Sequence, residues 1–325
     1  MVKKINIGLL GYGTVGSGVD KILRENKAYL ADKIHRQTGQ VVDLVVKRVL
    51  VRDLDSYEDV ADDRFTDNLQ DILDDKDIDI ICELIGGEEF ARDIILESFK
   101  LGKHVVSANK MAIFKSQGLL EEEAVKAGVH FNYEASVAGV VPVIRAIEES
   151  LIADRILEVS GILNGSTNYI LSQIEEGRNY EDVVAEAKEE GYLEADPSSD
   201  LKGEDPLYKL GILAYLATGV YPREEDIYLE GIEDIGLEDL EKAKEKGATI
   251  KLLGSFKRDG ENLTYRVAPE WVYKDSDFYS VRNTTNAVLV KYENSGEVFF
   301  TGRGAGSLET ATAVIGDIVS IAKKI

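Results

Sequence analysis

A single cysteine, Cys82, stands among 325 residues. One thiol excludes an internal disulfide framework and a cysteine zinc site. Its place in an apolar strand run reads as a buried, inert side chain. Histidine is nearly as scarce: His35, His104 and His130 are scattered along the chain, so neither a histidine metal site nor a Ser-His-Asp triad is indicated. Basic residues are outnumbered, 38 Lys+Arg against 60 Asp+Glu for a formal charge of −22, which argues against nucleic acid as a partner. No apolar run is long enough to span a bilayer, and the start, MVKKINIGLLGYG, runs into a glycine loop rather than a cleavage-site pattern. The expectation is a cytoplasmic protein with neither a membrane nor a nucleic acid as partner. Few Cys and Met beside many Glu and Lys fit heat adaptation, while the acidic excess fits salt adaptation.

What is present is a globular composition, 44% apolar and 30% charged, in a length that suits about two domains. Residues 4–10, KINIGLL, read as a buried parallel strand. Gly11-Tyr12-Gly13-Thr14-Val15-Gly16 follows at once, and Val19, Ile22 and Leu23 continue at helical spacing. Strand, G-x-G-x-x-G, helix is the context a dinucleotide fingerprint requires. Gly11 permits the tight turn, Gly13 lets backbone approach a diphosphate, and Gly16 lets the helix pack on the strand. The diphosphate would rest on the helix N-terminus.

Residues 24–40 read as a polar extension of that helix and its loop, and 43–51 as the second strand, ending in Arg52-Asp53. Arg52 favours a 2′-phosphate and hence NADP, whereas Asp53 could serve the ribose of NAD; a surface ion pair is the plainer use of Arg52. A short helix over 69–76, a strand over 78–85 ending at Gly86-Gly87, and an amphipathic helix over 90–101 come next. Strand 104–107 then runs into Asn109-Lys110. A lysine at the C-terminal end of a parallel strand faces the ligand crevice of an open sheet, although it could be a surface loop lysine. A helix over 117–128 and a strand over 129–137 finish this half.

Beyond Pro142 the spacing predicts a helix over 142–152, a strand over 155–163, and the turn Asn164-Gly-Ser-Thr-Asn-Tyr169 leading into a helix. Helices over 180–190 and 206–218 follow, and the chain is then strand-like from 227 to 301 around a helix at 236–246. Helices 206–218 and 236–246 would pack against these strands, which read as an antiparallel sheet with one face open for pairing. Gly302-Arg-Gly-Ala-Gly306 leads into an amphipathic C-terminal helix. The fold class is therefore α/β: a Rossmann-type nucleotide-binding domain over 1–140, completed by helix 305–325. An α+β substrate and dimerisation domain covers 141–304.

The stretch Gly191 to Leu210, GYLEADPSSDLKGEDPLYKL, gathers Glu194, Asp196, Asp200, Asp205 and Lys209. Asp205-Pro206 reads as a helix start, which puts Lys209 in the first turn. There the helix dipole and partial burial both disfavour an ammonium, which suits a proton donor. A solvated acidic loop with an i,i+4 Asp–Lys pair is the plainer alternative.

This stretch closely resembles the signature of homoserine dehydrogenases, an acidic GY-x-E-A-D-P loop followed by D-x-x-x-K on a helix. Val106 to Lys110 resembles the family's V-x-A-N-K motif, Asn164 to Tyr169 its N-G-T-T-N-Y motif, and Glu83 to Gly87 the end of its third strand. Phe90 departs from the family, where a proline is common. The resemblance spans essentially the whole chain. It implies reversible NAD(P)-dependent reduction of L-aspartate 4-semialdehyde to L-homoserine, in threonine and methionine biosynthesis. It further implies Lys209 as general acid/base, Asp205 on the reacting oxygen, Glu194 on the substrate amino group, and Lys110 between nicotinamide and substrate. Ile85, Ala108, Lys110 and the Gly306 backbone would join the glycine turn in holding the cofactor, NADP or possibly NAD. A monovalent cation, Na or K, would bind at Glu134, Val137, Gly139 and Val141, chiefly through carbonyls. A homodimer is also expected, as is a short form without the C-terminal ACT module of longer members. The rivals are another Rossmann oxidoreductase for a small amino or oxo acid, and a cofactor-binding regulatory protein without turnover.

Overall fold

The structure, a computed structural model, describes every residue except Met1, Ala61, Glu194, Ala195 and Ala305. It divides into two compact units, Met1–Ser136 with Gly306–Ile325, and Val137–Ala305.

The first unit is built on strands of continuous apolar sequence. β1 (Lys3–Leu10) buries Ile5, Ile7, Leu9 and Leu10 completely, as a strand covered on both faces must. After it come α1 (Thr14–Glu25), α2 (Lys27–Thr38), β2 (Val42–Leu50), β3 (Phe65–Thr66), α3 (Gln70–Leu73) and β4 (Ile78–Glu83). The rest of this half is α4 (Glu89–Lys100), β5 (His104–Ser107), α5 (Lys110–Lys115), α6 (Leu119–Ala127) and β6 (Phe131–Asn132). The six strands pair in parallel in the order β3-β2-β1-β4-β5-β6. Strand order reverses beside β1, the switch point at which doubly wound sheets bind ligands beyond their C-terminal strand ends.

Two expectations are corrected here, and one strand is added. Residues 24–40 do not extend the first helix: Asn26 leaves helical backbone at φ −100°, ψ 14°, and α2 starts afresh. The strand predicted over 129–137 shrinks to β6. Glu134 N–H donates to the Asp317 carboxylate (2.8 Å) instead of a neighbouring strand, and the chain tightens into a 3-10 turn at Glu134–Ser136. β3, too short to carry a period, is held by Val49 N–H on Arg64 O and Val51 N–H on Thr66 O, both 2.9 Å.

The second unit opens with α7 (Val143–Arg145), which widens into a π turn at Ala146–Ser150, with Leu151 N–H on Ala146 O. The single helix predicted over 142–152 is corrected accordingly. β7 (Ile156–Ile162), α8 (Gly165–Glu175), α9 (Tyr180–Glu189), α10 (Ser198–Leu201), α11 (Glu204–Thr218) and β8 (Ile227–Leu229) follow. The unit ends with α12 (Leu237–Glu245), β9 (Ala248–Asp259), β10 (Asn262–Tyr273), β11 (Thr285–Tyr292) and β12 (Gly296–Arg303). Its sheet runs β12-β11-β7-β9-β10-β8. The pairings are antiparallel except β8 on β10, which is parallel. The purely antiparallel sheet expected from sequence is corrected at that edge: α12 and β9 intervene between β8 and β10, so no hairpin dictates their direction.

The last helix, α13 (Ser307–Ala322), belongs to the first unit. It buries Val314, Ile318 and Ile321 in one core with Ile5, Ile7, Leu9 and Val19. Gly18 permits that packing, because a Cβ there would lie 2.9 Å from Ser307 O and 3.1 Å from Ala311 Cβ. Among the described residues no helix is long and apolar enough to cross a membrane.

Candidate active site

The three glycines of the first turn answer to different constraints. Gly11 has φ +96°, and a Cβ on it would meet Leu84 O at 2.8 Å. A Cβ on Gly16 would lie 2.1 Å from Gly11 O. Gly13 is unlike both: its φ is −74°, and a Cβ there meets nothing within 4 Å. Among the described residues nothing crowds position 13, and glycine there leaves the open space clear for a ligand to approach the backbone. α1 starts at this point with no side-chain cap and no acidic residue in its first turn. Its orphan N–H groups and positive dipole end suit a diphosphate. The residues present fit a dinucleotide.

Around that turn, Tyr12 packs edge-on against Phe65 (4.9 Å) and Tyr57 (5.8 Å) and donates its hydroxyl to Asp20 (2.9 Å). Burial and this carboxylate push the phenol pKa up. Asp20 is fully buried and also receives Arg64 at 2.8 Å. Sequence reasoning missed both residues, since a lone acid on α1 and an arginine before β3 look like surface charge. Thr14 O accepts the Ser307 hydroxyl (2.5 Å), and Val15 packs against the unit's core. Arg52 is exposed just beyond β2, while Asp53 spends its oxygens on Asp55 N–H (3.1 Å) and the Ser56 hydroxyl (2.8 Å).

The loops after β4 and β5 are tied together by a completely buried carboxylate that sequence reading did not single out. Glu83 accepts the Ser107 hydroxyl at 2.6 Å and Ile85 N–H at 3.0 Å, and burial raises its pKa. Ala108 N–H reaches Glu83 O at 3.4 Å. Asn109 donates N–H to Ser107 Oγ (3.0 Å) and its amide to Gly87 O (2.7 Å), and its Oδ1 caps α5 through Ala112 N–H (3.0 Å). Lys110 is the first residue of α5 and is half-buried. Ile85, Ala108 and Lys110 therefore stand on one braced platform at the C-terminal end of the parallel sheet.

In the second unit the acidic stretch folds differently from its reading in one respect. Asp205 does not cap α11. Gly203 does, at φ +85°, leaving Asp205 and Pro206 inside the first turn. Freed from the cap, the Asp205 carboxylate turns to side chains. Its Oδ2 accepts Lys209 Nζ at 2.7 Å and the Asn164 amide at 2.7 Å. Lys209 Nζ also donates to Leu163 O at 2.8 Å, and Asn286 shares that carbonyl at 3.2 Å. The pair is largely withdrawn from water, with side chains 13% and 8% exposed. Asn164 Nδ2 reaches Asp200 Oδ1 as well, at 2.6 Å, and its Oδ1 caps α8 through Thr167 N–H (2.8 Å). Ser166 donates to Tyr192 O (2.5 Å), tying the Asn164–Tyr169 turn to the acidic stretch. Glu194 lies outside the described residues. An ammonium held between a carbonyl and a carboxylate, with acids beside it, is an arrangement that can hand a proton to a small polar substrate.

A second buried lysine escaped the sequence reading. Lys251, on β9, donates to Asn168 Oδ1 (2.8 Å) and Val281 O (2.7 Å), and burial pushes its pKa down to about 7. β9 is buried continuously from Ala248 to Phe256, so this lysine lies inside although its residue type reads as surface.

Of the residues expected to hold a cation, Glu134 is buried in the first unit's 3-10 turn. Val137, Gly139 and Val141 begin the second unit, with Ala138 and Gly139 left-handed in succession (φ +56° and +63°). A Cβ on Gly139 would meet Gly304 O at 2.5 Å. Backbone carbonyls are oxygen donors of the kind hard cations take, although Val141 O already accepts Val143 N–H at 2.9 Å. Among the described residues no group of three His, Cys, Asp or Glu could hold a metal. Gly306, at φ +134°, precedes α13 in the first unit.

Comparison with known proteins gives concordant matches. Residues 11–134 match the family model described as "Homoserine dehydrogenase, NAD binding domain", and 142–319 the model described as "Homoserine dehydrogenase". A homoserine dehydrogenase of Bacillus subtilis is 41% identical over 99% of this chain and 74% of its own. The crystal structure of one from Thiobacillus denitrificans is 41% identical with a TM-score of 0.92, covering 99% of this chain and 74% of that one. A structure from S. aureus is 35% identical with a TM-score of 0.83, covering 99% and 77%.

Proposed function

Because the chain belongs to the homoserine dehydrogenase family, NAD(P)-dependent oxidoreductases that interconvert L-aspartate 4-semialdehyde and L-homoserine, we propose that Lys209 is its general acid/base. The observation that carries this is the Lys209 ammonium, largely withdrawn from water and 2.7 Å from Asp205. In the reducing direction the aldehyde carbon gains a hydride while its oxygen gains a proton. The dinucleotide, when bound, supplies the hydride. Lys209 delivers the proton, Asp205 orients that lysine and the reacting oxygen, and Lys110 adds a second cation toward the developing alkoxide. Glu194 pairs with the substrate's α-ammonium, which selects an amino-acid aldehyde over a neutral one. Changing Lys209 to Ala is expected to lower kcat by about 10²–10⁴-fold with NADPH affinity nearly unchanged. Loss of cofactor binding instead would sink the assignment.

The cofactor turn comprises Gly11, Tyr12, Gly13, Thr14, Val15 and Gly16, with Ile85, Ala108, Lys110 and Gly306 completing the site. NADP is the preferred form: Arg52 is exposed past β2 while Asp53 is engaged in its own turn. Equal affinity of Arg52→Ala for NADPH and NADH as in the parent would count against this. The loop carbonyls of Val137, Gly139 and Val141, with Glu134, hold Na or K. Identical rates in buffers free of both ions would dismiss that role. The nucleotide domain spans 1–140 and 305–325, the substrate domain 141–304. The enzyme works in the cytoplasm as a homodimer through its second sheet, where Trp271 and Tyr273 of β10 lie about half exposed (45% and 51%); a monomer mass in sedimentation would overturn it.

A further inference from the structure

Two neighbouring residues at the β7–α8 junction grip the proposed proton donor from both sides. Leu163 offers its carbonyl to Lys209 Nζ, and Asn164 offers its side-chain amide to that lysine's partner, Asp205 Oδ2. The Asn164 amide donates to capacity. Its two N–H groups go to Asp205 Oδ2 (2.7 Å) and Asp200 Oδ1 (2.6 Å), and its oxygen accepts Thr167 N–H (2.8 Å), with the Thr167 hydroxyl shared between that oxygen (3.0 Å) and the Asn164 carbonyl (3.2 Å). An amide has two donors, and both are spent. The side chain is 4% exposed.

This is more than a helix cap requires. A cap needs only the acceptor, and Ser, Thr or Asp would serve as well. The donor half is what selects asparagine: it sits between two carboxylates, Asp200 from α10 and Asp205 from α11. Ala at 164 would offer these acids no donor and Ser a single O–H, so neither could bridge both carboxylates as the amide does. With Asp they would face a third negative charge. The Asp205 oxygen fixed by Asn164 is also the one that meets Lys209.

We propose that Asn164 is a positioning residue for proton transfer: its amide fixes the Asp205 carboxylate, and through it the Lys209 ammonium, relative to Asp200. The inference rests on the reading of Lys209 and Asp205 given above. Asn164 need touch neither substrate nor cofactor.

The test is Asn164→Ser, which keeps an oxygen for the α8 cap and removes the donor fork, beside Asp205→Asn and the double variant. Displacement of a proton donor by about 1 Å is expected to lower kcat about 10²-fold. The NADPH Kd should stay near the parent value, while Tm falls by a few degrees for the lost amide bonds. The isotope effect with deuterated NADPH should rise as hydride transfer becomes slower than product release. The double variant should be little worse than Asp205→Asn alone, because both act on one carboxylate. A parent-like kcat for Asn164→Ser beside a crippled Asp205→Asn overturns this inference alone. A parent-like Asp205→Asn overturns the underlying reading of the site. Should Asn164→Ser be too unstable to assay, Asn164→Thr keeps an uncharged cap oxygen without the donor fork and decides the matter on the same measurements.

Discussion

The glycine turn offers a sharp separation between packing and binding. Gly13→Ala places a methyl at φ −74°, ψ −156°, where it meets nothing within 4 Å. The folded state should tolerate it, and a narrower unfolded ensemble stabilises by up to about 1 kcal/mol. Gly16→Ala places the same methyl 2.1 Å from Gly11 O. α1 must then move off the turn, at about 1–3 kcal/mol or more, which for a domain of this size lowers Tm by roughly 2–4 °C per kcal/mol. NADPH at a hundred times its Kd adds about 2.7 kcal/mol to the parent protein. Losing one or two charge-assisted N–H bonds to a displaced diphosphate, about 1.5–3 kcal/mol each, weakens Kd about 100-fold. That leaves about 0.4 kcal/mol of ligand stabilisation at the same concentration. Thermal unfolding with and without NADPH therefore separates the two variants. Gly13→Ala should unfold like the parent alone and gain almost nothing from cofactor, while Gly16→Ala should be less stable in both conditions. A parent-sized NADPH shift in Gly13→Ala would refute the placement of a diphosphate over that residue.

Two further outcomes are expected. Replacing Glu194 with Gln removes the charge opposite the substrate ammonium, so the homoserine KM should rise about 10–100-fold, the equivalent of about 1.5–3 kcal/mol, at constant NADPH Kd; parallel losses for both ligands would tell against its role. Lys251 carries a pH signature. Folding pulls its pKa down to about 7 through burial, whereas the unfolded side chain holds its proton to about 10.4. Below pH 7 both states are protonated and the folded one bears a buried charge; between about pH 7 and 10 only the unfolded chain keeps the proton, so stability climbs with pH. Lys251→Met should flatten that climb in urea titrations, by about 3–5 kcal/mol over the window. The buried Cys82 thiol, pushed up by desolvation, gives an opposite slope in both proteins and drops out of the comparison. An unchanged slope in the variant would rule the lysine out as its source.

Much of the fold was legible because its cues are local. Strand 104–107 and the helix of the Asn164 turn follow from continuous apolar runs and a capping asparagine, and the G-x-G-x-x-G turn from its place between strand and helix. Several failures share a cause, a partner distant in sequence. β6 stops early because Asp317, far along the chain, takes the Glu134 N–H. Asp205 gives up its cap because Asn164 and Lys209 claim its oxygen. Asp20, Glu83 and Lys251 look like surface charges until their partners Arg64, Ser107 and Asn168 are placed beside them. Within the acidic stretch, sequence located the lysine and its aspartate but could not see the amide between the two carboxylates.

The place of α13 has a consequence for biosynthesis. The nucleotide unit borrows a wall of its interior from the chain's final turns, while the unit between them leaves and rejoins through neighbouring segments, Val140 N–H meeting Arg303 O at 3.3 Å. On the ribosome the later-starting half can therefore finish first. The half that begins at the amino terminus must wait, with Ile5, Ile7 and Leu9 uncovered on the side α13 will take. Nascent chains stalled on a linker that carries Arg303 clear of the ribosome should accordingly resist protease in the central region while the leading region is still digested.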